Sequence, residues 1–536
     1  MSRLLPPRPL GFTRRSLLQG AASAGLAVAG VPFLRISPVS AQFRDNPFTL
    51  GIASGEPAAD GFVIWTRLAP RPLTARGGMA PVPVEVAWEI AADGPMQQVV
   101  RSGKAIARPE IAHSVHVEVA GLEPAREYYY RFRAGGAESP VGRARTLPAP
   151  GAPVSQLRFA SAGCQEWEGG FFTAWRSIAE EAFDFVAHYG DYIYEHRHVT
   201  ADRQGRVFPR TMPADFPLCL SLIDYRRRYA LYKTDLDLQA AHAACCFLPS
   251  FDDHEVVDNW AADSDPKNTP PEIFLFRRAA AFQAWYEHMP VRRSMLPRGP
   301  DVLAYRLLRI GALADLAVLD TRQYRSKQPC GDGFRSDCKD ADEPNRTMLG
   351  GAQERWLEQE LRSAKGTWQV LAQQVVFSRL DWRSFPWLQV PDVEIRRMDT
   401  WDGASAGRSR VLKILDDVQA PNPVVLTGDA HMAMAFDIRE DFGDPQSRCV
   451  GVEFLATSIS SNGDGTPSVP NAEALHAHNP HLKFTGNERG YTRHVVSPKR
   501  WQADYRVVEK ISVPGAATST SKSFVVEAGR PGLMDA

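Results

Sequence analysis

Phe185-Val186-Ala187-His188-Tyr189-Gly190-Asp191-Tyr192-Ile193-Tyr194-Glu195 begins as an apolar run of strand character, breaks at Gly190, and continues with a carboxylate at Asp191 and a phenol at Tyr194. A glycine lets the backbone turn sharply where a strand leaves its sheet. A tight turn there brings the side chains of Asp191 and Tyr194, three residues apart, toward one point. Carboxylate and phenolate oxygens form a hard ligand pair, suited to a trivalent or strongly Lewis-acidic metal.

Three further junctions have the same construction: Ala162-Gly163-Cys164-Gln165, Phe251-Asp252-Asp253-His254-Glu255 and Gly428-Asp429-Ala430-His431. Each follows a mainly apolar run, so the four polar clusters are expected to emerge on one edge of one sheet. A lone aspartate after a strand is usually a turn or cap residue. Four such junctions carrying thiol, carboxylate, phenol and imidazole are the donor set of a transition-metal site.

The surrounding chain alternates strands and helices from Leu157 onward. Strands are expected at Leu157–Ser161, Val302–Ile310, Asp315–Leu319, Trp368–Phe377, Val424–Thr427 and Val452–Ala456, and helices at Phe172–Glu181, Ser221–Lys233, Glu272–His288 and Ala352–Ala364. This pattern predicts an α/β core with helices on both faces, its chemistry in loops beyond the strand ends. Polar Glu195–Pro217 reads as a loop at the mouth of that site. Upstream, Phe48 to Pro148 is all-β, with period-two alternation in Val84–Glu89 and a late tyrosine strand at Glu127–Arg133, which suggests an immunoglobulin- or fibronectin-III-like sandwich. Leu147–Pro153 is its stiff linker. The expected organisation is a signal over 1–41, a small β-sandwich domain over 43–148 and the α/β domain over 156–530.

The signal rests on Thr13-Arg14-Arg15-Ser16-Leu17-Leu18, a small apolar stretch from Gly20 to Leu34, and the small-residue site Val39-Ser40-Ala41. That order of segments, with its arginine pair, points to twin-arginine (Tat) export and a periplasmic or secreted location. No later stretch has the length of a membrane-spanning helix. The 536 residues are 44% hydrophobic and carry no formal net charge, so no global field steers the chain toward nucleic acid or acidic lipid, and no nucleic-acid-binding motif is present. Arg226-Arg227-Arg228 reads as a solvated helix face. Of seven cysteines, Cys330 and Cys338 flank a Gly/Asp-rich loop suited to a small disulfide ring, and Cys164 stands at a candidate metal position.

Taken together, the junctions resemble the blocks of calcineurin-like metallophosphoesterases, and more closely those of PhoD-type alkaline phosphatases; Gly190-Asp191-x-x-Tyr194 also resembles the purple acid phosphatase block. The likeness extends to Ile64-Trp65-Thr66-Arg67 and Leu319-Asp320-Thr321-Arg322-Gln323-Tyr324-Arg325. It implies a metallophosphoesterase-like β-sandwich core flanked by helices, and a phosphatase or phosphodiesterase acting on phosphate esters. By resemblance, Cys164, Asp191, Tyr194 and His431 hold one Fe³⁺, with Asp191 bridging to one or two Ca²⁺ on Asp253 and Asp429. Asp252 and Asn259 are further calcium candidates, with orienting His254 as the alternative for Asp252 and capping a helix as the alternative for Asn259. Asp253 and Asp429 replace neutral ligands of the wider superfamily, which favours Ca²⁺ over Zn²⁺ there. Clustered metals suit phosphate esters because one activates water while others neutralise the phosphate oxygens. His254 is the expected proton donor or charge stabiliser at the leaving oxygen, and Arg322 the expected phosphate contact, with a structural role as its alternative. Relatives of this type act on monoesters and diesters, including phospholipids and teichoic acids; substrate choice is expected to lie in the loops Glu195–Pro217, Gln328–Gly350 and Phe385–Ser409.

Two other readings compete. Gly403-Ala404-Ser405-Ala406-Gly407 matches the serine-esterase pattern G-x-S-x-G, but the preceding Arg396–Asp402 is too polar for the buried strand that motif requires. A non-enzymatic binder with structural metals would use closed ligand shells, whereas these clusters are rich in oxygen ligands. No Walker loop and no H-E-x-x-H motif is present.

Overall fold

The strand Phe185–His188 lies between two parallel neighbours, Leu157–Ala162 and Cys246–Pro249, with Phe185 opposite Phe159 on one side and Cys246 on the other. The computed structural model describes residues 43–197, 208–383, 385, 388 and 393–536. The expected export signal lies outside them, as do parts of the loops Glu195–Pro217 and Phe385–Ser409.

Strand periodicity explains why these runs are apolar throughout. Phe159, Phe185, Cys246 and Leu248 point into one core, where they meet Leu316, Val370, Leu426 and Phe454 of a second sheet. The alternate residues Ala160, Val186 and Phe247 face the opposite way, against Trp175, Tyr229, Leu238 and Trp285. Those four belong to the helices Thr173–Glu180, Leu222–Lys233, Leu236–Ala244 and Pro271–His288. The second sheet is built alike: Ala317, Leu371 and Val425 turn outward onto Leu357 and Val411 of the helices Gly350–Ser363 and Ser405–Asp417. Strands buried on both faces read as continuous hydrophobic runs. The result is a mixed α/β fold of two inner sheets and two outer helical layers.

One long strand joins the sheets. Leu482–Val496 pairs with Ala433–Arg439 of the second sheet through its first half, and with Leu157–Ala162 of the first through its second half. The first sheet then continues through Arg500–Val508, Thr518–Glu527 and Arg530–Asp535.

The N-terminal segment is all-β but does not close on itself. Ile52–Ala58, Gly61–Arg67 and Ser114–Val119 extend the first sheet, because Ser54 and Gly55 pair in parallel with Cys246 and Phe247. Val84–Ala91, Val99–Ala107, Glu127–Ala134, Ala137–Glu138 and Gly142–Arg145 form a separate sheet, whose Val86 and Tyr130 pack in the same core cluster as Phe185.

Several expected boundaries move. The strand from Trp368 ends at Ala372, and the one expected from Val302 begins at Arg306. Ser405 follows a 3-10 turn, Trp401–Ala404, and opens a helix. Its Oγ donates to Asp342 Oδ1 at 2.7 Å, so the G-x-S-x-G match is not a strand-to-helix nucleophile turn. Cys330 and Cys338 are disulfide-bonded. No helix among the described residues is long and apolar enough to cross a membrane.

Candidate metal centre

The four junctions meet at one edge of the two sheets. Close packing there demands glycine: a Cβ on Gly190 would lie 2.5 Å from the Asp252 backbone nitrogen, and one on Gly428 2.1 Å from the Tyr189 ring. Cys164, Asp191, Asn259, Asp429 and His431 all adopt positive φ, between 52° and 64°. Non-glycine residues held there cost about 1–3 kcal/mol each, and such strain clusters where surrounding contacts over-determine the backbone. Glu255 supplies part of that restraint. Its buried carboxylate accepts from the backbone N–H groups of Asp191 (3.1 Å), Tyr192 (2.7 Å) and Asp252 (2.8 Å), tying two junctions together.

One cluster joins Cys164, Asp191 and His431, whose ligand atoms lie within 4.8 Å of one another. The Tyr194 hydroxyl completes it, donating to Asp191 Oδ2 at 3.1 Å and lying 2.9 Å from His431 Nε2 and 2.6 Å from Ser461 Oγ. Burial, then the charge of Asp191, pushes the Cys164 thiol and Tyr194 phenol well up. A cation at this point would reverse that balance and favour thiolate and phenolate. Burial takes His431 down to about 3, leaving a neutral imidazole.

A second cluster joins Asp252, Asp253 and Asp429, and a third grouping, Asp191, Asp253 and His254, connects the two. Asp252 Oδ2, Asp253 Oδ1 and Asp429 Oδ2 are buried and accept no hydrogen bond, although Arg397 Nη1 stands 3.4 Å from Asp429 Oδ2. Orphaned oxygens of this kind, beside a sulfur, phenol, imidazole and carboxylate set, fit a centre of more than one cation. The Asn259 backbone N–H donates to Asp253 Oδ2 at 2.7 Å, and its side-chain Nδ2 to Asp332 Oδ2 at 2.7 Å.

Arg322 is placed beneath the carboxylates and is completely buried. Its Nε donates to Asp252, its Nη1 to both oxygens of Asp399 (3.0 and 2.9 Å) and its Nη2 to Asp429 at 3.3 Å. With its donors so engaged it does not line the cavity, and the expected phosphate contact gives way to the structural alternative. Arg228, expected on a solvated face, is also buried. It donates to the carbonyls of Tyr194, His196 and Pro217, and so pins both ends of the loop at the mouth.

Above the clusters opens a cavity of about 720 Å³ whose wall includes Tyr194, His254, His431, Glu166, His196 and Asn462. The His254 ring stacks on Tyr194 at 4.2 Å, and its Nδ1 lies 2.7 Å from Glu195 Oε2. Burial would lower His254, but Asp253, Glu195 and Asp191 outweigh it and hold the imidazole well above its usual range. Sequence reasoning assigned no role to Glu195, Glu255 or Asp399. The first two stand directly after residues it did select, which was the available signal.

Fold and site together define an α/β enzyme with a candidate metal centre at its strand ends. The chain belongs to the PhoD-like phosphatase family, whose profile matches residues 159–505, while the profile of the PhoD-like phosphatase N-terminal domain matches 35–148. It is 45% identical over 531 residues to alkaline phosphatase D of Bacillus subtilis (strain 168), covering 97% of this chain and 89% of that protein. A solved structure of PhoD superposes with a TM-score of 0.88 at 45% identity, over 92% of this chain and 93% of that one. The protein is a hydrolase of phosphoric ester bonds.

Proposed function

We propose that this hydrolase is an exported, metal-dependent phosphoesterase of the alkaline phosphatase D type, active on phosphate monoesters, diesters or both. Cys164, Asp191, Tyr194 and His431 would hold one Fe³⁺. Asp191, Asp253 and Asp429 would hold one or two Ca²⁺, with Asp252 and Asn259 beside them. The observation that carries the metal reading is the set of three buried carboxylate oxygens on Asp252, Asp253 and Asp429 that accept no hydrogen bond. Leaving a charged group in that state costs more than the roughly 1–3 kcal/mol of a neutral one, and a hard cation satisfies all three at once. Bound there, the cations would neutralise phosphate oxygens and lower the pKa of an attacking water.

The chain's own part in the reaction centres on His254. Glu195 engages Nδ1, so Nε2 is the atom free to deliver a proton to the leaving oxygen. Stacking on Tyr194 fixes the plane of the imidazole. Glu255 keeps the Asp191 and Asp252 backbones in register, and Arg322 offsets the repulsion among the aspartates below. The twin-arginine stretch Thr13–Leu18 and the site Val39-Ser40-Ala41 support passage through the Tat machinery to the periplasm or medium.

Metal analysis joined to paired assays on one preparation tests this reading. Iron and calcium should co-purify with the protein. Chelation should abolish hydrolysis of p-nitrophenyl phosphate and bis(p-nitrophenyl) phosphate, and adding the metals back should restore it. Full activity after complete metal removal rejects the proposal.

A further inference from the structure

The loop closed by the Cys330–Cys338 disulfide reaches the second carboxylate cluster by two routes. Along the first, Asp332 Oδ2 accepts from Asn259 Nδ2 at 2.7 Å, and the Asn259 backbone N–H donates to Asp253 Oδ2 at 2.7 Å. Asp253 Oδ1 is thereby left as the donorless oxygen of that carboxylate. Asn259 holds a φ of 52°, and Gln328 Nε2 donates both to its carbonyl at 2.9 Å and to Asp399 at 2.6 Å. With Nδ2 committed to Asp332, the amide keeps Oδ1 as its remaining acceptor.

Along the second route, Phe334 and Arg335 pair with Arg397 and Arg396, and the Met398 N–H donates to Gly333 O at 2.8 Å. The Arg397 guanidinium stands 3.4 Å from Asp429 Oδ2. Arg335 Nε closes the loop on itself at Cys330 O, 2.9 Å away. Among the described residues, no hydrogen bond of the loop reaches Cys164, Asp191, Tyr194 or His431.

We infer that this disulfide-closed loop braces the second cation position and that Asp332 is its positioning residue, setting Asn259 and, through it, Asp253. The inference rests on the metal-centre reading above. A short loop that must hold one carboxylate in place loses chain entropy when cross-linked, so the disulfide lowers the cost of keeping Asp332 on Asn259. Partners behind a ligand set its orientation, and losing one typically weakens cation binding about 10–100-fold.

Calcium titration of the iron-loaded, EGTA-treated enzyme by isothermal calorimetry tests this, with iron content and the visible spectrum recorded on the same samples. Asp332→Ala should weaken Ca²⁺ binding by about 10–100-fold while iron and spectrum stay at wild-type values. Asp332→Asn keeps an oxygen that accepts from Asn259 Nδ2, and should recover most of the affinity. The double change Cys330→Ser with Cys338→Ser should weaken binding with circular dichroism unchanged. Wild-type affinity in Asp332→Ala overturns the inference alone, and equal losses in the Asn and Ala variants overturn the positioning role. A wild-type enzyme that binds no calcium overturns the metal-centre reading and the inference with it.

Discussion

Glu195 Oε2 stands 2.7 Å from His254 Nδ1, joining residues that follow two different strands of the first sheet. The contact leaves Nε2 facing the cavity side, where the nearest carboxylate, Asp258, is 3.9 Å away. A proton donor held this way matters most when the leaving group is a poor one. His254→Asn should therefore cost about 10²–10⁴-fold in kcat on an alkyl phosphate. Glu195→Gln should lose a smaller part of the same factor. Both variants should retain most activity on p-nitrophenyl phosphate, whose leaving group needs no proton. Equal losses on the two substrates would show that His254 does not serve as the acid.

The Tyr194 hydroxyl lies within 3.1 Å of groups on Asp191, His431 and Ser461. Under the proposed ferric assignment, its phenolate gives a charge-transfer band, so the purified, iron-loaded enzyme should absorb visible light. Tyr194→Phe should bleach the band, and Cys164→Ala should release the iron. A colourless wild-type enzyme at full iron occupancy refutes the tyrosinate. Unchanged iron in Cys164→Ala returns that residue to a buried thiol without a ligand role.

Much of this site was legible because each of the four junctions closely follows a strand buried on both faces, which appears in sequence as an apolar run ending at a polar cluster. Phe185–His188 and Pro423–Thr427 are such runs. Glu195, Glu255 and Asp399 act through bonds to an imidazole, three backbone amides and a guanidinium, and nothing in residue spacing announces such partners. Arg322 was open between a phosphate contact and a structural role for the same reason: an arginine selects carboxylate or phosphate by geometry, and only the fold shows four carboxylates around it. The C-terminal strands were missed because Thr518–Glu527 is largely polar and exposed along its first half. The joining of the N-terminal strands to the core sheet depends on Ser54 meeting Cys246, a pairing with no local signal.

Removing the cation beneath the aspartates has a stability consequence. Burial opposes the Arg322 charge, but Asp252, Asp399, Asp253 and Asp429 outweigh it and raise its pKa well above normal. Arg322→Met leaves those carboxylates uncompensated in the interior, a change of the kind that costs roughly 3–5 kcal/mol. Lysine lacks the planar fork of donors, so Arg322→Lys should not restore stability. Thermal melting should show a large drop in Tm for both variants, part of it recovered by millimolar Ca²⁺ as a bound cation takes over the lost charge. A melting temperature equal to wild type in chelator would mean that Arg322 does not hold the cluster together.

Acid should weaken the fold at a different set of residues, the histidines held as neutral rings. Burial takes His188 and His494 down to about 3, and His116 and His481 down to about 4. In His494 the neutral form is fixed by its partners: Trp501 Nε1 donates to Nδ1 at 3.2 Å, and Nε2 donates to Ser161 Oγ at 3.0 Å. A proton on Nδ1 breaks the tryptophan bond inside the core. For each ring the folded-state pKa lies below the unfolded value of about 6.5, so the unfolded chain binds more protons between the two. The histidine contribution to stability therefore rises with pH across this window and is lost as pH falls from about 6.5 toward 3, by up to about 1.4 kcal/mol per pH unit for each histidine. Burial holds the Glu255 carboxyl up to about 7 and Asp429 up to about 6, so those groups take up protons in the folded chain over the same range and oppose the histidines. The test is therefore the difference in urea midpoint between wild type and His494→Asn from pH 7 to pH 4.5, both in chelator so that metal release does not contribute. His494→Asn should lower the midpoint at pH 7, and its deficit against wild type should shrink as pH falls, with a slope of up to one proton. A deficit constant over that range would mean that His494 takes up its proton equally in the folded and unfolded chains.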